Sequence, residues 1–466
     1  MDETVKAYGQ SWYAATMMQA PARPALTSDL DVEVCVIGGG LAGLTAAREI
    51  ARSGFSVALL EQGRLAAGAS GRNTGFVLPG FAADPNVLIA RVGREHTREL
   101  WALSQAGLDY VRRTMQSERP DGDAGQNGWL HVSKRDNAEE VSRLARLLGD
   151  LGCEAEYWPA ERVRAQLRSE RYFHAIHYVR AFAIHPLDYA LSLAAAAERD
   201  GARIFENTPA LSVDPAGVRK RVVTPAARLR ASQVVLAGNL QIKPMMPQLG
   251  ATLVPITTYV ITTAPLGAVR LAAAVLYRGA VSDTDRADNH YRIVGGDRLM
   301  WSGRATVWPR DPRGYVGALT ADIAKTYPQL GPVAADYAWA GTLGNTVHRM
   351  PQIGELSPGV WLASGFGGHG LNTTAMAGTL IARAVVAGDQ TWRKFTPFEL
   401  VWAGGTLGRA VVQTRIWLRR AVDGAAERRA QRRAAARRAM RKADSGEQTR
   451  VLPPAPPAEN ERAGGR

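Results

Sequence analysis

Three glycine-rich segments carry the residues whose types and spacing suit chemistry, and the first is the most specific. Gly38-Gly39-Gly40-Leu41-Ala42-Gly43 contains the G-x-G-x-x-G pattern at Gly38, Gly40 and Gly43. Gly38 permits a tight turn, Gly40 lets the backbone approach a pyrophosphate, and Gly43 lets a helix pack closely on a strand. Glu61 lies 23 positions after Gly38, where a carboxylate can accept both ribose hydroxyls of an adenosine. Gln62 follows it. The chemistry these residues suit is the holding of an adenine dinucleotide.

The pattern has weight because of the elements around it. Glu33 to Ile37 reads as a buried strand by its Val/Ile content and its glycine stop. Leu41 to Ser53 reads as a helix, with Leu44, Ala47, Ile50 and Ala51 at helical spacing and Gly54 at the C-terminal cap position. Phe55 to Leu60 is the next strand. A helix opening directly on the glycine turn presents unpaired N–H groups and a partial positive charge to phosphates.

The second segment, Gly68-Ala69-Ser70-Gly71-Arg72-Asn73-Thr74-Gly75, follows shortly after Glu61. Small residues such as Ala69 let the chain pass close to a flavin and its ribityl phosphate. Ser70, Arg72, Asn73 and Thr74 offer donors to pyrophosphate or flavin oxygens. The third segment, Gly365-Phe366-Gly367-Gly368-His369-Gly370-Leu371-Asn372-Thr373-Thr374, lies between a short strand (Trp361 to Ser364) and a helix expected from about Thr374 to Val386. Its N–H groups suit the negative charge that grows on a flavin during reduction. The first segment fits NAD or FAD; the other two select FAD. The expected cofactor set is Gly38, Gly40, Leu41, Ala42, Gly43, Glu61, Gln62, Ala69, Ser70, Arg72, Asn73, Thr74, Ala210, Gly238, Gly367, Gly368, Gly370 and Leu371.

At 466 residues, with 46% hydrophobic and 21% charged residues, the chain is expected to form two packed domains and a tail. The fold class is α/β (α+β): a Rossmann-like FAD-binding domain interleaved with an antiparallel-sheet substrate domain. Residues 1–28 read as an arm carrying Trp12 and Tyr13. Residues 29–84, 151–243 and 336–398 are assigned to the FAD-binding domain, and 85–150 and 244–335 to the substrate domain. Residues 85–150 read as mainly helical around a strand at Trp129 to Val132. Residues 252–263, Tyr291–Val294 and Leu299–Ser302 suggest the antiparallel sheet. Two cysteines, Cys35 and Cys153, provide neither a disulfide framework nor a cysteine zinc site; no metal is expected. With no evident signal peptide or spanning segment, the expected compartment is the cytoplasm.

Residues 399–466 read as a basic tail. Residues 401–466 hold fifteen Lys/Arg against six Asp/Glu, so +9 of the net +14 sits there and the body needs no nucleic acid to explain its charge. Residues 425–442 favour helix, and Val451 to Pro457 is Pro-rich and expected to be partly disordered. The tail reads as a solvated extension, with an anionic surface, nucleic acid or an acidic partner as alternatives.

The three segments in this order resemble the D-amino-acid oxidase/glycine oxidase superfamily of FAD enzymes. Within it the chain is most similar to the γ-glutamylputrescine oxidoreductase branch, through Ser11-Trp12-Tyr13-Ala14-Ala15-Thr16, Val36 to Gly40, Gly68 to Asn73, Ala340-Gly341-Thr342, Arg349-Met350-Pro351 and Gly365 to Gly370. The second loop departs from the branch at Asn73-Thr74-Gly75-Phe76, where Asn-Gly-Gly-Gln is usual, and the third at Gly367-Gly368-His369, where a serine before glycine is usual. Relatives that attach FAD covalently use a cysteine about thirty residues before the third loop or a histidine near the second; this chain has neither, which implies non-covalent FAD.

The resemblance implies oxidation of the C–N bond of an amine or amino acid of γ-glutamylputrescine, sarcosine or glycine type. Hydride passes to flavin N5, the imine hydrolyses, and oxygen or another acceptor takes the electrons, with peroxide the expected product under oxygen. The resemblance also places His369 beside the flavin ring. Tyr259, His290, Tyr291 and Arg292 are further candidates by their place in the antiparallel sheet, with Arg292 suited to a carboxylate. His348 and Arg349 either approach the flavin or pair structurally, and His185 marks a strand-to-helix turn. Two other readings stand beside the oxidase: an FAD dehydrogenase serving a quinone or protein carrier, and a tRNA-associated modification protein. Oligomeric state is not encoded in any motif.

Overall fold

The computed structural model describes residues 8–118, 127–283 and 289–447. Two sheets organise them. The first is built on Leu30–Ile37, which pairs in parallel with Val57–Leu60 on one side and Arg228–Leu236 on the other. Arg203–Phe205 extends it beyond Val57–Leu60, and Val360–Ser364 beyond Arg228–Leu236, both in parallel. The parallel core strands are apolar on both faces because both are covered: helices lie on one, and Val222, Ala227, Ile242 and Leu249 pack against the other. Leu41–Ala51 supplies one cover, with Leu44, Ala46, Ala47 and Ile50 fully buried, and Gly370–Ala387 packs against it.

The second sheet has nine strands, mostly antiparallel. Its order along the main path is Ala335–Asn345, Val254–Thr263, Arg298–Thr306, His290–Val294, Ala280–Asp283, Asn127–Val132, Ala175–Ala183 and Phe76–Val77. Ala155–Trp158, Ala175–Ala183 and Ala335–Asn345 from residue 336 onward fall within ranges the sequence assigns to the FAD-binding domain, and they hydrogen-bond in this second sheet. Strand partners are chosen by contacts distant in sequence, which the local pattern does not report.

Residues 85–150 are helical at Pro85–Val92, Arg94–Glu118 and Ala138–Asp150, around the expected strand. The arm lies on the body through Trp12–Thr16, capped by Ser11, and Tyr13 is wholly buried. The basic segment forms one helix, Gly405–Glu447, beginning twenty residues before the expected stretch at 425. The Pro-rich stretch Val451 to Pro457 lies outside the described residues.

Candidate active site

The first glycine turn is enforced by steric contacts. Gly38 has φ +115°, and a Cβ there would lie 2.7 Å from the Ala237 backbone; a Cβ on Gly43 would lie 2.0 Å from the Gly38 carbonyl oxygen. Side chains are excluded because strand, turn and helix are already in contact. The helix Leu41–Ala51 opens at Gly40 without a side-chain cap, and the Leu41 N–H donates to Ser70 Oγ at 3.1 Å. Glu61 accepts from the N–H groups of Gly39 (2.7 Å) and Gly63 (2.9 Å). Burial raises its pKa, and the two backbone donors partly offset this.

Two cavities meet at this turn. One, of 370 Å³, is lined by Gly38, Gly40, Glu61, Gln62, Ala210 and Gly238 among others. The second, of 470 Å³, is lined by Leu41, Ala42, Thr74 and the loop from Phe366 to Leu371. Gly40, Ala69, Ser70, Arg72, Ala237 and Asn239 line both, so the two form one cleft running from Glu61 to His369. All the expected cofactor residues line this cleft except Gly43, whose place is the helix–strand contact beneath it.

The residues fit an FAD. The turn admits backbone alone, and the helix Gly370–Ala387 begins at the third loop with His369 at its N-cap and no side-chain cap bond. Its first N–H groups are therefore open to a developing negative charge. The Asn239 side-chain oxygen and His369 Nδ1 are buried without a protein hydrogen-bond partner. The helix Gly370–Ala387 starts four residues earlier than expected, which is what brings its N-terminus into the loop. Asn73 lines the cavity, yet its amide staples its own loop by donating to Ala69 O and Ser70 O and accepting from Gly75 N–H. Arg72 donates Nε–H to Ala67 O, and burial lowers its pKa.

The far end of the larger cavity is made of imidazoles and aromatic rings. His131, His290 and His369 line it with Trp129, Phe76, Ser282 and Arg349. Trp129 stacks on Tyr178 at 4.4 Å, and the ring of His369 meets Trp129 edge-on at 6.4 Å. Trp129 Nε1–H donates to Ser282 Oγ at 2.9 Å, and that hydroxyl is 2.7 Å from His290 Nδ1. Burial, reinforced by the neighbouring imidazoles, holds His131 and His369 down to about 4; burial also lowers His290. No Asp or Glu lines this cavity among the described residues. The pocket therefore presents neutral rings and no counter-ion for an ammonium group.

His369 stands in this pocket; Tyr259, Tyr291 and Arg292 do not. Tyr259 is stacked on Tyr315 at 3.7 Å and bonds Thr306 Oγ1 at 2.9 Å, inside the apolar core packed on the second sheet. Tyr291 stacks on Trp301 and meets the Tyr327 hydroxyl at 2.7 Å. Side chains alternate along a strand, and the cavity receives Thr258, Val260 and His290, one position off each tyrosine. Arg292 shares the face of His290 but engages the Thr74 and Ile184 carbonyls and the Tyr13 hydroxyl. It braces the second glycine loop.

His131 was missed by the sequence reading; the available signal was Trp129 and His131 at i and i+2 on one strand. His348 engages Glu399 O and Met350 N–H away from the cavity, and His185 caps the helix Pro186–Arg199.

Residues 33–384 match the family model described as DAO, FAD dependent oxidoreductase. The γ-glutamylputrescine oxidoreductase of Escherichia coli (strain K12) is 31% identical over 387 residues, covering 81% of this chain and 89% of that protein. Glycine oxidase from Geobacillus kaustophilus superposes with a TM-score of 0.67 at 20% identity, covering 80% of this chain and 99% of its own. L-proline dehydrogenase from P. horikoshii gives 0.64 at 17% identity, covering 80% and 100%.

Proposed function

Because the chain belongs to the DAO family of FAD-dependent oxidoreductases, we propose that it oxidises the C–N bond of a primary or secondary amine or amino acid, of γ-glutamylputrescine, sarcosine or glycine type, at the histidine-lined end of the cleft. The observation that carries this reading is the continuity of the cleft from Glu61 to His369. When bound, FAD supplies the electron-pair acceptor for the hydride leaving the carbon next to nitrogen.

The residues of the chain do the rest. Glu61 and the Gly38–Gly43 turn orient the adenosine and pyrophosphate. Arg292, Asn73 and Trp339, whose Nε1–H donates to Arg72 O at 3.0 Å, fix the second loop. Trp129, Phe76 and Val260 exclude water from the reacting carbon. A hydride leaves readily only from a carbon next to a neutral amine, and a pocket of uncharged imidazoles without a carboxylate favours that form over the ammonium. His369 Nδ1 and His290 offer polar atoms to hold the amine lone pair in register. The imine product hydrolyses to a carbonyl compound and an amine or ammonia, and oxygen takes the electrons as hydrogen peroxide. The resemblance implies FAD held without a covalent bond, since no cysteine follows Cys153 and the second loop has no histidine.

Mixing the purified yellow protein anaerobically with γ-glutamylputrescine, sarcosine, glycine and a wider amine panel tests this. Bleaching of the flavin by at least one amine, followed by peroxide when air is admitted, is expected. A flavin that no amine bleaches would remove the proposal.

A further inference from the structure

The helix Gly405–Glu447 is seated on the body by one face. Val412 and Ile416 pack with Val254, Ile256, Val307 and Ala403. Gln413 Oε1 accepts from the Val307 N–H at 3.0 Å, and Arg420 donates to Ala305 O at 3.2 Å. Glu427 is buried and takes Arg171 Nε at 2.5 Å and Lys325 Nζ at 3.3 Å. This face fixes the orientation of the helix as far as residue 427, so the opposite face is held in a defined direction.

That outward face is apolar and then cationic. At about 100° per residue, Leu407, Val411, Leu418 and Val422 fall within an arc of about 60°, roughly opposite the seated residues. Together with Trp417 and Trp402 beside them, each is between 59% and 79% exposed. A row of large exposed apolar side chains of this extent is unusual on a soluble monomer and marks an interaction surface. About two to three turns further on, Arg428, Arg429 and Arg432 are exposed on the same outward side. Of the two acids between 405 and 432, Asp423 is half-buried and Glu427 is buried in its ion pairs. The outward face thus carries apolar and positive groups with no exposed carboxylate among the described residues. The helix backbone continues to Glu447, and the sequence adds five more Lys/Arg between 433 and 442.

We propose that this helix docks the protein on an anionic lipid surface, lying in the plane of the interface with Leu407, Val411, Leu418 and Val422 in the acyl boundary and the arginines among the headgroups. Charge decides between possible occupants. A second copy would bring the same arginines against one another, whereas a negatively charged bilayer neutralises them and takes up the apolar row at the same time. Tryptophans flanking the row suit the boundary between acyl chains and headgroups. No described helix is long and apolar enough to cross a membrane, so the contact is peripheral. The proposal stands independently of which amine is oxidised.

Co-sedimentation of the full chain, loaded with FAD, tests it. Sucrose-filled vesicles of phosphatidylcholine alone are compared with vesicles of equal parts phosphatidylcholine and phosphatidylglycerol. Binding to the second at least tenfold tighter than to the first is expected. Leu418→Glu with Val422→Glu should weaken it at least tenfold while the flavin spectrum stays intact. Arg428→Gln, Arg429→Gln and Arg432→Gln should each weaken it about fivefold, and the salt dependence should fall with them. Equal binding to the two vesicles, or none to either, would overturn the proposal. So would light scattering that finds a dimer dissociated by the two glutamates, since the face would then join copies of the chain.

Discussion

The two ends of the cleft are built from different materials. Around Gly38–Gly43 the surface is backbone: turns, a helix N-terminus and positions where a Cβ would lie 2.0 to 2.7 Å from main-chain atoms. Around His369 the surface is side chain: three imidazoles, Trp129 and Phe76, carried on strands and loops distant in sequence. In the proposed function the first end holds what dinucleotides share through backbone that a side chain would displace, and the side chains of the second end meet the substrate. Mutations should accordingly separate into those that lose the cofactor and those that keep it and lose the reaction.

The largest effect is expected from Gly43→Ala, because its Cβ meets the Gly38 carbonyl rather than a movable side chain. We expect FAD affinity to fall by about 100-fold or more, corresponding to roughly 3 kcal/mol, read from the flavin retained on gel filtration. A protein that purifies fully yellow would break the contrast between the two ends. His369→Ala should do the opposite: full flavin content with kcat/KM for the amine down by about ten- to 100-fold. Loss of flavin in that variant would show the third loop to be part of the cofactor seat alone.

Glu61→Gln should weaken FAD about tenfold, from loss of a charged acceptor, with kcat at saturating FAD unchanged. Isothermal titration of the apoprotein measures it, and a change in kcat would mean that the ends are coupled.

The pH response sharpens the same contrast. His131 and His369 sit at about 4 in the fold, below an ordinary imidazole near about 6.5. The stability they contribute is therefore complete above about pH 6.5 and is lost as pH falls towards 4. His131→Gln should flatten the decline of melting temperature across that window. The rise of kcat/KM with pH should stay where it is, because it follows deprotonation of the substrate amine. A shift of that limb in His131→Gln would make the imidazole a proton acceptor.

The smallest effects on activity are expected one position along the strands. Tyr259→Phe should lower stability by about 1 kcal/mol through loss of the bonds to Thr306 and the Arg310 N–H, and leave kcat/KM within about twofold. His290→Ala should raise KM with little change in stability. Equal loss of activity in both would mean that the pleat assigned to this sheet is inverted.

The cofactor end was legible in the sequence because its signals are local: a glycine pattern, the strand before it, the helix after it and an acid 23 residues on. The substrate end was legible only as an antiparallel sheet. Which residues of Val254–Thr263 and His290–Val294 face the cavity depends on pairing with strands up to 91 residues away, as Val254 with Asn345, and on the irregularity between Thr257 and Tyr259. A shift of one residue moves a side chain to the other face, which is why Tyr259 and Tyr291 were expected in the pocket and Thr258 and Val260 were not. His131 comes from a third, non-adjacent segment that only the fold joins to the other two. The helix at 405–427 was read as a solvated extension because its seat on the body, through Gln413 and Glu427, depends on partners far upstream.

A crystal structure of the protein with FAD tests the central claim most directly. The account predicts the adenosine ribose at the Glu61 carboxylate and the flavin ring against Gly367–Gly370, with His131, His290 and His369 around its reacting face. An FAD whose ring lies away from those histidines, or whose adenosine leaves Glu61 without contact, would contradict it.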